Sequence, residues 1–441
     1  EGEGSLFLVD GASGFLSGGS TTLATSEGTL RFTDSEIALR SAVTAEAGGA
    51  LEIHDSTVEF RRGPNFTARL AAAGENTRID LSGGSVLRGS QSPILTAGSG
   101  AFIRNLDQAT IVQGVLGADF IGVDGSNTIL QSSIAGGNPQ FVDLGRIFVS
   151  GFSNVTRVTI AQTDETNDEP FRMRENLEII LTGSQFNQVT GKEATSRLQM
   201  EGGVIRGGGT VGGLQLEVGN AAQIIADGRV PSPGSAGHED LEIAGRLTIN
   251  TNNEADSLTN AGRLAAVEGG TLTIEDSLLA NLPSGRVSIH SNSKFAAHNV
   301  NNSGLFEVMA GGEANLNGSL QQNEAGVART VIAGNLTARR ADIDFGFILI
   351  DGEVTIREGD EAFTVAREAS LGGRGTINGK LATSGIFNPG DSPGIFTVNG
   401  DFEQLPGGVL EIEIAGTQAG SEYDQVSVNG AATMNGTPDV S

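Results

Sequence analysis

Residues 372–428 read GGRGTINGKLATSGIFNPGDSPGIFTVNGDFEQLPGGVLEIEIAGTQAGSEYDQVSV. Short runs that alternate apolar and polar residues are separated by glycines, and Pro389-Gly390 and Pro393-Gly394 mark two tight turns. Period-two alternation indicates half-buried strands, and Pro-Gly pairs favour turns. Residues 207–249 hold a looser copy with the same order of strand, turn and strand. The stretch therefore predicts a structural repeat.

A shorter repeat supports the same interpretation. Residues 28–37, GTLRFTDSEI, recur as GALEIHDSTV at 49–58 and as GTLTIEDSLL at 270–279. Each copy is an alternating strand followed by Asp-Ser, whose side chains can bond to their own backbone and turn the chain. A repeat of about 20 residues with two or three short strands fits one coil of a β-helix. The predicted fold class is all-β, a right-handed parallel β-helix forming a single-stranded solenoid of about 20 coils.

Composition narrows the classes of function. The chain has 441 residues, 65 of them glycine, and a net charge of −26, so a nucleic-acid partner is disfavoured by repulsion from phosphate. It has no cysteine, which excludes thiol chemistry and cysteine-ligated zinc. A run of about 18 apolar residues is absent, so no membrane insertion of this segment is expected. The sequence starts and stops in mid-pattern, which favours a fragment of a longer precursor.

Three stretches organise the chain. Residues 1–190 are predicted to form N-terminal coils with irregular insertions, including a charged, protruding loop at about 161–176. Residues 191–370 are predicted to be central coils. Residues 371–441 are predicted to be C-terminal coils that carry the regular repeat. We expect the 20 phenylalanines to fill the core as inward-facing stacks.

The C-terminal repeat resembles a known family pattern. The resemblance is carried by NPGDSPGIFTVNGDFEQ at 388–404, GVLEIEI at 408–414 and YDQVSVNGAA at 423–432. In this order they are similar to the passenger-associated transport repeat of bacterial autotransporters. The resemblance implies a secreted right-handed β-helix at the extracellular or bacterial outer cell surface. Such passengers include adhesins, proteases and esterases, so the resemblance concerns secretion and folding more than activity.

Few residues are candidates for a site. Asp164, Glu165, Asp168 and Glu169 supply hard oxygen ligands that suit Ca²⁺, although they lack the spacing of a calcium-binding loop and equally fit a solvated loop. No other cofactor is predicted. Two carboxylate pairs, Asp342 with Asp344 and Glu411 with Glu413, would each share a strand face. Such pairs can cleave glycosides, but alternation also places carboxylates on any wet face.

Ser392, which lies between the two Pro-Gly turns, is interpreted as a turn residue. The four histidines are His54, His238, His290 and His298, and none has a motif that pairs it with Ser392.

The leading hypothesis is a non-enzymatic surface scaffold that acts as an adhesin or as a structural or fibre component. Expected partners are a host or neighbouring-cell surface, a polysaccharide, or a second copy bound through the ends of the β-helix. Two alternatives stay open. One is a carbohydrate-active β-helix enzyme, a polysaccharide lyase or glycoside hydrolase, with Asp, Glu and Arg or Lys clustered on one sheet. The other is a subunit of a self-assembling extracellular filament, since uncovered strand edges can template a neighbour.

Overall fold

The computed structural model describes most of the chain, and all structural statements below concern these residues: 6–10, 13–16, 21–24, 28–46, 48–61, 68–89, 93–97, 101–112, 115–116, 120–131, 133–135, 138–140, 145–151, 153–161, 170–175, 177–183, 185–232, 240–324, 326, 328–357, 361–390 and 393–441. Their regular structure is β-strand, apart from a short 3-10 helix at Glu254–Asp256.

Each coil contributes three strands, and each strand pairs in parallel with the corresponding strand of the next coil. Thr29–Thr33 pairs with Ala50–His54, and Glu36–Leu39 pairs with Thr57–Phe60. Repetition of this pairing builds three parallel sheets, which we call the first, second and third face. The predicted fold class, an all-β parallel β-helix, is therefore confirmed.

The chain divides into two compact units. The first comprises Glu1–Glu217 and Gly228–Leu247, and the second comprises Val218–Asp227 and Thr248–Ser441. The strands Gln215–Val218 and Arg246–Asn250 contain residues of both units. The predicted divisions near residues 190 and 370 stay predictions.

The strands of the first unit follow the three faces. The first face contains Leu6–Asp10, Thr29–Thr33, Ala50–His54, Arg78–Ser82, Phe102–Asn105, Phe120–Gly122, Gly145–Val149, Leu177–Thr182 and the start of Val204–Gly212. The second face contains Ser13–Leu16, Glu36–Leu39, Thr57–Phe60, Ser85–Arg88, Gln108–Val112, Asn127–Gln131, Thr156–Ala161, Asn187–Gly191 and the end of Val204–Gly212. The third face contains Thr21–Ala24, Ala42–Glu46, Arg69–Ala73, Pro93–Ala97, Val115–Leu116, Phe171–Met173, Arg197–Met200 and Gln215–Val218. Two antiparallel pairs stand outside the faces, Ser133–Ala135 with Asn138–Gln140 and Arg229–Pro231 with Asp240–Glu242.

The second unit repeats the arrangement. Its first face contains Gln223–Asp227, Arg263–Val267, Arg286–Ile289, Leu305–Val308, Arg329–Ile332, the ends of Arg340–Ile350 and Phe363–Gly373, Ile386–Pro389, Val409–Ile412 and Thr437–Val440. Its second face contains Arg246–Asn250, Thr271–Ile274, Lys294–Ala297, Glu313–Leu316, Asn335–Ala338, Glu353–Ile356, Thr376–Asn378, Ile395–Asn399 and Gln425–Val428. Its third face contains Ser257–Asn260, Leu278–Asn281, Asn299–Asn302, Ser319–Gln322, the starts of Arg340–Ile350 and Phe363–Gly373, Leu381–Thr383, Phe402–Gln404 and Ala432–Met434.

Alternation of apolar and polar residues fills the core. In Thr29–Thr33 the even positions, Leu30 and Phe32, are buried while their neighbours are partly exposed. Phe387 meets Phe396 and Phe402 edge-on, with centroid distances of 5.1 and 5.8 Å, an arrangement that aromatic rings prefer. Many described phenylalanines are buried in this core, as predicted: Phe32, Phe120, Phe171, Phe295, Phe306, Phe363, Phe387, Phe396 and Phe402.

Two adjacent strands on the first face of the first unit also carry apolar residues on their outer side. Phe148 and Ile180 are paired in register and buried, although they alternate with the inward-facing Ile147 and Ile179. Val230, from the antiparallel excursion, belongs to the same buried hydrophobic cluster as Phe148 and Ile180. The excursion thus removes an apolar patch from water, which explains why the consecutive residues 147–149, Ile-Phe-Val, are all apolar.

The predicted loop at 161–176 contains regular structure. Phe171–Met173 is a strand that pairs with Arg197–Met200, and Phe171 and Met173 are buried. Residues 162–169, the most charged part of that stretch, lie outside the described residues.

Buried amides stack along one corner of the second unit, between the third and first faces. The Asn260 side chain donates to Asn281 Oδ1 at 2.8 Å, Asn281 donates to Asn302 Oδ1 at 2.8 Å, and Asn302 donates to Gln322 Oε1 at 3.3 Å. Gln322 continues the ladder by donating to the Phe345 carbonyl at 2.6 Å. Because buried polar groups are costly without partners, this ladder fixes the register of these coils.

Candidate functional sites

The predicted calcium ligands, Asp164, Glu165, Asp168 and Glu169, all lie outside the described residues. That site therefore stays a prediction. Within the part of the chain that the structure describes, no group of three or more His, Cys, Asp or Glu residues is placed to hold a metal ion.

The Pro-Gly turns surround a buried aspartate. Asp424 accepts hydrogen bonds from the Gly394 N–H at 2.8 Å and from the Glu413 N–H at 2.8 Å. Gly390 has a φ of +106°, and a Cβ there would overlap Asp424 Oδ1, so the turn requires glycine. The motif thus brings its separated parts together around one carboxylate. Asp391 and Ser392 lie outside the described residues.

One member of each predicted carboxylate pair has a hydrogen-bond partner in a neighbouring coil. Asp342 forms an ion pair with Arg340 at 2.7 Å and accepts a hydrogen bond from the Thr364 hydroxyl at 3.0 Å. The Asn388 amide donates to Glu411 Oε2 at 3.2 Å. Asp344 lies at an irregularity in strand pairing, between Ile343 and Phe345. Asp342 and Glu411 are thus engaged in contacts that join adjacent strands on the outer side of a sheet.

A denser charged cluster lies on the first face of the first unit. Glu52 and Asp80 are in register on adjacent strands. Arg31 bonds Glu52 at 2.6 Å, Arg78 lies 3.5 Å from Glu52 and 3.1 Å from Asp80, and Arg104 bonds both oxygens of Asp80 at 2.8 and 2.7 Å. The bond to Asp80 raises the pKa of Arg104 above its ordinary value. The two carboxylates thus lie between three guanidinium groups.

The structure also brings together a serine, a histidine and an aspartate that sequence reasoning left unconnected. His54 Nδ1 lies 2.9 Å from Ser82 Oγ, and His54 Nε2 lies 3.0 Å from Asp55 Oδ2. If Nε2–H donates to Asp55, Nδ1 can accept the Ser82 proton. A histidine in this role is the general base that activates a serine nucleophile. Parallel pairing of residues 78–82 with residues 50–54 creates this contact.

The surroundings of Ser82 do not complete a hydrolase site. Stabilising a tetrahedral oxyanion needs free N–H donors near the nucleophile. The Gly83 N–H donates to Asp107 at 2.7 Å, and the Gly84 N–H donates to the Gln108 carbonyl at 3.1 Å. His54 and Asp55 have side chains that are each 46% exposed, so water weakens the electrostatic contribution of the group. The cluster is therefore best explained as a polar turn.

A regular polar surface occurs on the second face of the second unit. Thr376-Ile-Asn378 and Thr397-Val-Asn399 are in register, and Thr397 pairs with Ser427 in the next coil. The Asn399 amide donates to Asn378 Oδ1 at 2.8 Å, and Asn429 donates to Asn399 Oδ1 at 2.5 Å. We call the six outward residues the T-x-N strip: Thr376, Asn378, Thr397, Asn399, Ser427 and Asn429.

The signal for this strip is present in the sequence as TING at 376–379, TVNG at 397–400 and SVNG at 427–430. Sequence reasoning did not connect the three copies. Their alignment depends on the lengths of the intervening segments, which only strand register reveals.

These features define the described chain as a β-solenoid protein with polar ladders between its coils. No protein-family model, no curated protein and no solved structure matches the chain. Among the described residues, no helix is long and apolar enough to cross a membrane.

Proposed function

We propose that the chain is a secreted cell-surface β-helix scaffold that acts as an adhesin or structural surface component and is exported like an autotransporter passenger. The observation that carries this proposal is the pairing of charged side chains between neighbouring coils. Arg172 binds Glu201 at 2.6 Å in the first unit, and Arg286 binds Glu307 at 2.7 Å in the second. Side chains paired in this way join neighbouring coils instead of converging on a reacting group.

The geometry of the C-terminal repeat supports the same proposal. Asp424 holds the Gly394 turn through a buried carboxylate, so the residues that carry the family resemblance have a structural role. This fits a repeat that serves folding and secretion. The net charge of −26 favours solubility of an exposed surface.

Two measurements on cells that produce the protein test the proposal. Antibodies against the chain should label intact cells, and external protease should remove the label without lysis. Beads coated with the purified chain should attach to host or neighbouring cells more than beads coated with albumin. Label that appears only after lysis would contradict surface exposure, and equal attachment would contradict the adhesin role.

A carbohydrate-active enzyme is a second candidate because Glu52, Asp80 and Arg78 cluster on one sheet. Two carboxylates can share acid and base roles in glycoside cleavage. The purified chain should then shorten a polysaccharide, and Asp80→Asn should abolish the activity while the protein stays folded. Lack of cleavage across neutral and anionic polysaccharides would reject this candidate.

Self-association through the ends of the β-helix also stays a prediction. Strand edges can template a neighbouring strand. Electron microscopy of the intact chain distinguishes filaments from monomers. Filaments would make the structural role primary, whereas monomers at high concentration would reject the filament subunit.

A further inference from the structure

The T-x-N strip presents hydrogen-bonding groups at the regular interval of the coils. Adjacent strands lie about 4.8 Å apart, so the strip repeats its side chains at about that interval. Ile377 and Val398 point inward and are fully buried, which directs Thr376, Asn378, Thr397 and Asn399 outward. The hydrophobic core thereby holds a polar pattern rigidly on the surface.

The amide ladder orients donors toward solvent. A side-chain amide nitrogen carries two N–H groups. The ladder uses one from Asn399, toward Asn378, and one from Asn429, toward Asn399. The ladder does not use the other N–H of each of these two amides.

The hydroxyl groups of the strip extend the same pattern. Thr376, Thr397 and Ser427 each carry a hydroxyl, which both donates and accepts. The Asn378 amide is the fixed end of the ladder, because it donates to Glu353 and to Thr355 at 3.2 Å in the preceding coil. The groups available to a ligand therefore concentrate on the two later coils of the strip.

The six residues of the strip are uncharged, although the chain as a whole carries −26. A polyanion would be repelled by the protein, and a polycation would find no carboxylate among the six residues. Ile395 lies two residues before Thr397 on the same face and is 40% exposed, which adds an apolar contact beside the polar groups. Neutral sugars match this combination because they offer many hydroxyl groups and apolar ring faces.

We propose that the T-x-N strip binds a linear, neutral polysaccharide whose chain lies along the stacked coils. The inference rests on the proposed surface function, since it gives the ligand class of that surface. The Asn399 and Asn429 amides would bond successive sugar hydroxyls, the Thr397 hydroxyl would bond between them, and Ile395 would contact a ring face.

Calorimetric titration of the full chain tests this inference. The probes are cellohexaose and laminarihexaose as neutral oligosaccharides and an oligogalacturonate as an anionic one. We expect at least one neutral probe to bind and the anionic probe to bind at least about tenfold more weakly. Asn399→Asp should weaken neutral binding about tenfold or more, since it places a charge in the strip and removes a donor.

Two further variants make the result specific. Thr397→Val removes one hydroxyl while keeping shape and strand preference, and should weaken binding about threefold or more. Asn435→Asp introduces the same charge at an exposed turn outside the strip and should bind as the unchanged chain does. Unfolding midpoints of all variants show whether folding is retained.

The inference is overturned if neither neutral probe binds, if the anionic probe binds equally well, or if Asn399→Asp and Asn435→Asp behave alike. Its failure is separable from that of the proposed function. A chain that binds neutral glycan but is absent from the cell surface would keep the site and reject the surface role. A chain that is displayed on the cell surface but binds no glycan would do the reverse.

Discussion

Asp424 accepts a hydrogen bond from the Gly394 N–H at 2.8 Å, although 30 residues separate the two in sequence. The same carboxylate accepts a second bond from the Glu413 N–H. Its side chain is buried, so these backbone donors depend on it in place of water. One residue therefore closes the turn that the Pro-Gly pairs begin.

Replacing this carboxylate should loosen the C-terminal coils. We expect Asp424→Ala to destabilise them by about 2–4 kcal/mol, because two buried N–H groups lose a charged acceptor. Hydrogen exchange should accelerate at the Gly394 and Glu413 amides. Asp439→Ala, at an exposed position, is the matched control and should leave both rates unchanged. Equal exchange in the two variants would contradict the clamp.

The buried amide ladder should behave as a unit. Asn281→Ala removes the acceptor of Asn260 and the donor to Asn302, so we expect a loss of about 2–4 kcal/mol. Chemical unfolding monitored by circular dichroism measures the loss. Asn317→Ala, at an exposed turn, should stay within about 0.5 kcal/mol of the unchanged chain. A similar loss at both positions would show that the ladder contributes nothing specific.

Asp276 should make stability depend on pH. Its side chain is buried and accepts bonds from the Thr251 N–H at 3.2 Å and the Thr251 hydroxyl at 2.5 Å. Burial raises the pKa of Asp276, although the Thr251 bonds oppose this. The folded state then holds its proton to higher pH than the unfolded state does. The stability that this bound proton contributes is full below about pH 3.9, the unfolded pKa of an aspartate. It is lost as pH rises through the folded pKa of Asp276.

Asp276→Asn should remove that dependence. We expect the variant to gain stability over the unchanged chain at pH 7 and to lose the gain as pH falls toward 4. Thermal unfolding across this range provides the comparison. Asp34→Asn alters the same Asp-Ser pattern at an exposed turn and should show no such trend. A constant difference between pH 4 and 7 for Asp276→Asn would reject the assignment.

Alanine substitutions at two glycines distinguish the cost of backbone strain from the cost of a steric clash. Gly183 has a φ of +94°, and a Cβ there would overlap Ile243 Cβ. Gly84 has a φ of +81°, but no atom lies within 4 Å of the position that a Cβ would occupy. Gly84→Ala should cost about 1–2 kcal/mol from the left-handed conformation alone, and Gly183→Ala should cost clearly more. If urea unfolding gave equal losses of stability for the two variants, the residues around Ile243 would be able to move aside without an energetic penalty.

Ser82 should be a poor nucleophile despite its contact with His54. The nearby Gly83 and Gly84 N–H groups already have acceptors, so an oxyanion would lack donors. We expect a fluorophosphonate probe to label Ser82 no faster in the unchanged chain than in His54→Gln. Peptide mass spectrometry measures the labelling rate. Rapid labelling that His54→Gln abolishes would establish a catalytic serine and revive an enzymatic role.

Local patterns predicted the strands well but not the corners where they meet. Residues 28–37, 49–58 and 270–279 share one pattern, and all three fold as strand, Asp-Ser turn and strand. In the first two copies the turn joins the first face to the second, whereas in the third it joins the second face to the third. Asp55 is consequently exposed, and Asp276 is buried. The same residues acquire different electrostatics because the stacked coils around them differ.

The candidate sites also include residues that the sequence indicates and residues that only the fold brings together. Asp342 and Glu411 could be singled out from the sequence, and they have hydrogen-bond partners across coils. The contacts of His54 with Ser82 and of Asn399 with Asn429 could not be predicted from the sequence, because coils of unequal length separate these residues. The predicted calcium ligands at 164–169 lie beyond the described residues and stay untested.

The sequence by itself determined that this chain forms short strands, glycine turns and a solenoid, because alternation and turn chemistry act over a few residues. Only the tertiary structure decided which side chains stack, since register joins residues about 20 to 30 positions apart. That register buries Asn281 in a ladder, places Asp424 under the Gly394 turn and aligns the T-x-N strip. This register is set by hydrogen bonding between coils together with the burial of alternate side chains.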